Sequence, residues 1–228
     1  LKKIFAALAI AATLTPFTCA QAATISFSDS KAMATTNWTD VLNFAKFDTS
    51  LGTLTSIKFD LSGMVQGSGN AESLDSAASS VTLSLGALLG LTRPDGSTLV
   101  VTKPVFSQGF DFSSFDGAIN FGGTSGGSTG TVSADGSNFF VSSDANDFAL
   151  FSALGGGSIN LGLSAIGNSS GTGSGNLITQ FNTAASGNAL VTYTYTPASD
   201  VPEPASLATL LAGLGLMAAV RRRTKKQA

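Results

Sequence analysis

The chain has 228 residues, a formal net charge of −2, no histidine and one cysteine. Without histidine, Ser-His-Asp and Cys-His catalysis are excluded, as are zinc or copper sites built on imidazole. The bases cluster at the two ends, so residues 23–200 form an acidic middle in which Asp29, Asp48, Asp60, Asp75, Asp111 and further aspartates outnumber Lys31, Lys46, Lys58, Arg93 and Lys103. Charge alone then gives this part no attraction to nucleic acid or anionic lipid.

Residues 1–22 have the order of a secretory signal peptide. Lys2 and Lys3 precede an apolar stretch from Ile4 to Leu14, and Ala20-Gln21-Ala22 offers an A-x-A cleavage site. The apolar stretch is too short for a membrane span. Cleavage after Ala22 makes Ala23 the first mature residue and removes Cys19, the only thiol, so the mature chain can form no disulfide. Phe17-Thr18 before Cys19 lacks the small residues of a lipoprotein site. About 178 residues then remain before the tail, enough for one core and one domain.

Within that domain the apolar period is two. Ile57, Phe59 and Leu61 alternate with Lys58 and Asp60, and Val81, Leu83 and Leu85 with Thr82 and Ser84. Ile159, Leu161 and Leu163 do the same, as do Val191, Tyr193 and Tyr195. Such alternation predicts strands with one face buried. Turns are expected at 93–97 (RPDGS), 115–117 (FDG) and 134–138 (ADGSN). Residues 71–80 read as a helical turn or a loop, and no longer segment has a helical apolar period. The glycine-rich stretches 122–130 and 167–176 read as long surface loops. Together these predict an all-β fold: a single β-sandwich or jelly-roll-like ectodomain over 23–196, with roughly eight to ten strands. The missing crossover helices exclude a parallel α/β sheet. The chain's 16 phenylalanines suit a dry core between two sheets.

Candidate chemistry in the domain is sparse. Gly126-Gly127-Ser128-Thr129-Gly130 has the serine-hydrolase elbow pattern, but that elbow needs a histidine base and a strand-turn-helix, so a loop is expected. Asp135, Ser137 and Asn138, and also Asp144, Asn146 and Asp147, bring together oxygen ligands of the kind calcium takes. Neither stretch has the complete twelve-residue calcium loop, and Asp and Asn are equally at home in turns. A carboxylate pair for glycoside hydrolysis is not selected by any spacing, Glu72 and Glu203 being the only glutamates. No enzyme is therefore expected, and no cofactor beyond a possible calcium ion. The aromatic side chains with a polar edge, as a sugar platform requires, are Trp38, Tyr193 and Tyr195; the tyrosines suit a core equally well. The sequons at 37–39 and 168–170 carry no weight on their own.

The end of the chain is organised differently. Residues 197–204 form a linker in which Pro202 and Pro204 fix φ and push Val201 and Glu203 towards extended backbone. Residues 205–220 carry no charge; as a helix they extend about 24 Å. That is short of a hydrocarbon core of about 30 Å, and local thinning or snorkelling accommodates the difference. Arg221, Arg222 and Arg223 open a basic tail over 221–228 that holds the C-terminal end of this transmembrane helix in the cytoplasm. The domain is thus flanked by a signal helix and a membrane helix.

The VPEP stretch, the short apolar run and the RRR cluster, behind a signal peptide, together resemble the PEP-CTERM sorting signal of Gram-negative bacteria. Pro202, Glu203 and Pro204 match its motif residue for residue. The resemblance implies recognition by exosortase, a membrane transpeptidase that itself carries the catalytic residues. It also implies cleavage near the motif and export in cells that make extracellular polysaccharide. The WTDVLNFAKFDTSLGTLTSIKFDLSG stretch (38–63) resembles the start of choice-of-anchor E domains, which imply no activity. Its residues predict Phe44 and Phe47 in the core and Asp48 and Gly52 at the turn into a strand over 54–63. The expected function is that of an exported surface or matrix protein, structural or adhesive in biofilm or exopolysaccharide. The alternative is a secreted carbohydrate-binding or calcium-dependent binding module.

Overall fold

The computed structural model describes residues 22–173 and 175–198. Among these are thirteen strands: β1 (Ala23–Thr35), β2 (Trp38–Ala45), β3 (Phe47–Asp48), β4 (Gly52–Ser73), β5 (Ser79–Thr92), β6 (Thr98–Thr102), β7 (Val105–Phe112), β8 (Gly126–Ser128), β9 (Val132–Ser142), β10 (Ser152–Ala153), β11 (Ser158–Gly167), β12 (Ser170–Gly173) and β13 (Leu177–Pro197). One helix, α1 (Ala145–Phe151), lies between β9 and β10. The protein is mostly β, as the period of two predicts. The strand number exceeds the expected eight to ten because short pairings form inside stretches that read as loops.

The strands form two curled antiparallel sheets around a shared core. The first runs β1-β13-β4, with β8 and β9 pairing successive parts of the far edge of β4. Its spine is the pairing of β13 with β4, from Leu177 opposite Ser73 to Pro197 opposite Gly52. Strands of 22 and 21 residues cannot stay flat over that length, because right-handed twist accumulates along them. The second sheet centres on β5. Its first half, Ser79–Gly86, lies beside β7 and β12, and its second half, Ala87–Thr92, beside β11 and β6, with β2 outside β11. β3 and β10 form a separate two-residue parallel pair.

The period-two residues meet between these layers. Ile57, Phe59, Leu61, Val191 and Tyr193 of the first sheet face Leu85, Leu89, Leu91, Leu161 and Leu163 of the second, all of them buried. Each such side chain contributes about 1.5–3 kcal/mol by leaving water. Phe44 and Phe47 are 1% exposed, in the core as expected, and the Phe47 ring lies 5.0 Å from that of Tyr195 and 5.9 Å from that of Tyr193. Asp48 caps a single 3₁₀ turn at Thr49–Leu51 by accepting from the Ser50 amide, and Gly52 then enters β4 at φ +149°. A smaller cluster of Ala71, Val81, Leu83 and Phe112 fills the other end.

The core takes many of the phenylalanines but not all of them. Phe139, opposite Asp60 on the outer face of β9, is 60% exposed; Phe140 points inward and stacks on Phe59, yet stays 38% exposed because β9 lies at the edge of the sheet. On the opposite edge, inward-pointing charges close the gap between the sheets. Lys31 of β1 pairs with Asp40 of β2 at 2.9 Å, and Asp29 accepts from the Asn43 amide. Charges turned inward at an edge discourage pairing with another chain.

Three readings of the turns and loops are corrected. The turn expected at 134–138 is instead the middle of β9, with Gly136 opposite Gly63. Its glycine serves close approach, since a Cβ there would lie 2.8 Å from the Pro104 nitrogen. The loop expected at 122–130 contains β8, which pairs with the end of β4. The loop expected at 167–176 contains β12, paired with β5. In each case backbone pairing to a long neighbouring strand outweighs the low strand propensity of Gly and Ser. Residues 71–80 are the end of β4, a short connection and the start of β5, with no helix. The turns at 93–97 and 115–117 stand, with Gly96 at φ +84° and Gly117 at φ +93°.

Candidate functional site

The two aspartate clusters read as possible calcium ligands do not form one centre. Asp144 caps α1 by accepting from the Asn146 amide at 2.7 Å. Asp147, only 4% exposed, receives two bonds from the Arg93 guanidinium, Nε to Oδ1 at 2.7 Å and Nη2 to Oδ2 at 2.8 Å. The buried Ser142 hydroxyl also donates to Oδ2. Arg93 holds the Asp147 carboxyl below the ordinary carboxylate range, and the Ser142 hydroxyl adds to this against the opposing effect of burial. This arrangement fastens α1 to the β5–β6 turn and leaves Asp147 little capacity for a metal. Asp135 lies on β9, its neighbours Ser137 and Asn138 pointing to opposite faces. Asn138 donates to the Val101 carbonyl. Among the described residues no cluster of three or more acidic, histidine or cysteine side chains has metal-binding geometry.

The sugar-platform aromatics are also separated. Tyr193 is fully buried and donates its hydroxyl to the Ala45 carbonyl at 2.9 Å, so the core reading of this residue holds and the platform reading is withdrawn. Tyr195 is partly buried against Phe47. Trp38 is partly buried on β2, and its indole nitrogen is enclosed without a partner. Ser128 ends β8, and its hydroxyl accepts from the Gly130 amide; no helix follows it, so the elbow geometry is absent.

The role of Glu72 is visible only in the fold. Its side chain is fully buried at the end of β4. There it accepts from the Ser125 hydroxyl at 2.6 Å and the Phe121 and Asn120 amides at 2.6 and 3.3 Å. A buried carboxylate needs such donors, and these all belong to one segment, 120–125. Glu72 therefore pins that segment to the first sheet. No local pattern around Glu72 could have revealed this, because its donors lie about 50 positions away.

The outer face of the first sheet carries a cleft. Ser30 of β1, Asn188 of β13, Ser62 of β4 and Ser137 of β9 form one row across four strands, and Ser186, Met64 and Asp135 line the next. The cleft encloses about 650 Å³. A second cleft of about 290 Å³ continues it past Ser62 and Ser137 to Asp60 and Phe139. These volumes lie in or near the range of small-molecule sites.

The other expected site residues lie outside the described residues: Ala20 of the cleavage site, the sorting motif Pro202, Glu203 and Pro204, the basic cluster Arg221, Arg222 and Arg223, and the apolar segment 205–220. Ala22 is described; it is exposed and directly precedes β1. Among the described residues no helix is long and apolar enough to cross a membrane.

Comparison with known proteins adds most at the C-terminus. No curated protein matches the chain. Among solved structures it is similar to the infectious bursal disease virus VP2 subviral particle, at 14% identity and a TM-score of 0.25, over 78% of this chain and 38% of that one. It is also similar to the T=1 particles derived from infectious bursal virus, at 14% identity and a TM-score of 0.18, over 83% of this chain and 41% of that one. The chain thus spans less than half the length of either, and likeness this slight bears on neither fold nor function. Residues 200–223 match the PEP-CTERM protein-sorting motif, and this match supports an exported protein that exosortase sorts.

Proposed function

We propose that this chain is an exported cell-surface or extracellular-matrix protein with a structural or adhesive role in biofilm or exopolysaccharide. Its C-terminal segment serves as an address that exosortase removes. The motif match over 200–223 carries the reading; the apolar run and Arg221–Arg223 behind it supply a stop-transfer segment. The β-domain is a jelly-roll-like sandwich, and the likeness of 38–63 to choice-of-anchor E domains agrees with a displayed domain. No enzymatic activity is assigned.

The test is the intact mass of the protein recovered outside the cell, with and without exosortase. A C-terminus near Pro204 only when exosortase is present supports the proposal. A full-length C-terminus in both cases makes the tail an ordinary anchor and removes the main support. The second reading, a carbohydrate-binding module, is favoured by the cleft on the outer face of the first sheet.

A further inference from the structure

We propose that this cleft is a binding site for a neutral glycan, with Asn188, Ser62 and Ser137 as its central hydrogen-bonding groups and Phe139 as a stacking surface at one end. The proposal rests on the surface-or-matrix reading only for where the ligand is met; the site itself is argued from geometry.

The cleft is built by the backbone. Behind the row of Ser30, Asn188, Ser62 and Ser137, the adjacent inward positions on three neighbouring strands are Gly187, Gly63 and Gly136. A Cβ on Gly63 would lie 2.6 Å from a Leu89 methyl, one on Gly187 3.0 Å from a Leu163 methyl, and one on Gly136 2.8 Å from the Pro104 nitrogen. The first sheet therefore sinks towards the second along this line, and the outer face dips above it. Close approach requires glycine at these positions, and together they lay a trough across four strands. Three inter-strand spacings make it about 14 Å wide, longer than one small ring.

The lining is suited to a polyhydroxylated, uncharged ligand. Serine hydroxyls both donate and accept, and the Asn188 amide does the same with separate atoms. Asp135 adds acceptor oxygens and has no ion pair among the described residues, while the cation on the lining, Lys31, is already paired with Asp40 at 2.9 Å. At the far end Phe139 is 60% exposed. Lys58 holds one face of its ring at 4.9 Å and is itself paired with Asp60 at 2.6 Å. The ring thus presents an exposed apolar surface beside the hydroxyl row, of the kind the apolar face of a pyranose stacks on. Acidic glycans are disfavoured by Asp60 and Asp135 and by the acidic domain.

The full chain is applied to an array of neutral oligosaccharides (glucans, mannans and galactans) and of matched uronic-acid oligosaccharides. Calorimetry then follows with the best neutral binder. The expected result is saturable binding to a neutral glycan and at least tenfold weaker binding of its acidic counterpart. Ser62→Ala/Asn188→Ala should weaken binding at least tenfold, and Phe139→Ala at least threefold. Ser137→Trp, which fills the trough without removing a buried contact, should abolish it. Val41→Ser, on the outside of the second sheet, should leave it unchanged, with thermal midpoints confirming that all variants fold. No neutral binder, preference for uronic acids, or binding unaffected by the trough variants each overturns the proposal. Normal exosortase-dependent processing alongside such a result leaves the sorting reading intact, so the two fail separately.

Discussion

Replacing Arg93 by alanine leaves Asp147 as a buried carboxylate with one side-chain donor where it had three. Asp147 is 6% exposed and Arg93 19% at the side chain, so the pair is not one of the exposed kind worth less than about 1 kcal/mol. Removing one partner of a buried pair costs about 3–5 kcal/mol. The retained Ser142 bond and the position of Asp147 in the first turn of α1 place the loss near the low end, about 3 kcal/mol. For a domain of this size that lowers the thermal midpoint by about 6–12 °C. The pH dependence follows from the depressed folded pKa of Asp147. A carboxyl with a depressed pKa contributes stability above its ordinary value of 3.8 and loses it as pH falls through the folded value. The gap between wild type and Arg93→Ala should therefore be full at neutral pH and close once Asp147 is protonated in the folded wild type. Urea titrations of both proteins from pH 7 to pH 2.5 measure it. A loss below about 1 kcal/mol at pH 7, or a gap that does not narrow in acid, refutes the account of this pair.

Other substitutions test other parts of the fold. Glu72→Ala removes the acceptor for three donors, at about 1–3 kcal/mol for each one left buried and unsatisfied, and should expose 113–125 to limited proteolysis before the rest of the chain. Gly63→Ala forces its Cβ against Leu89 and should cost about 1–3 kcal/mol. Gly90→Ala meets nothing closer than the Ser164 hydroxyl at 3.5 Å and should be nearly neutral in the same denaturation assay. Burial holds the Tyr193 phenol above its ordinary pKa of 10.0, so the protein should lose stability as pH rises above about 10, where the unfolded tyrosine ionises. Tyr193→Phe should lack that part of the alkaline loss while costing about 1 kcal/mol at neutral pH for the bond to Ala45.

The sequence by itself determined the β class, the strand interiors and much of the core. Ile57-Lys58-Phe59-Asp60-Leu61 and Val191-Thr192-Tyr193 already state which side chains face inward, because alternation in a strand is a local property. It also determined the sorting segment, since recognition of an extended Pro-Glu-Pro followed by an apolar and a basic stretch depends on contiguous residues. Only the tertiary structure decided the rest. Gly126–Ser128 and Ser170–Gly173 became strands because β4 and β5 supplied the backbone partners, which no local propensity records. Tyr193 went into the core and Phe139 to the surface although both lie in alternating, aromatic stretches. The difference is register: Tyr193 stands opposite the inward Ile57, while Phe139 stands opposite the outward Asp60 on a face no other layer covers. Glu72 and Ser125, Arg93 and Asp147, and the glycines beneath Ser62 and Asn188 are each joined across about 50 to 125 positions of sequence. Their meeting is set by sheet register, and register is fixed only when all the strands have paired.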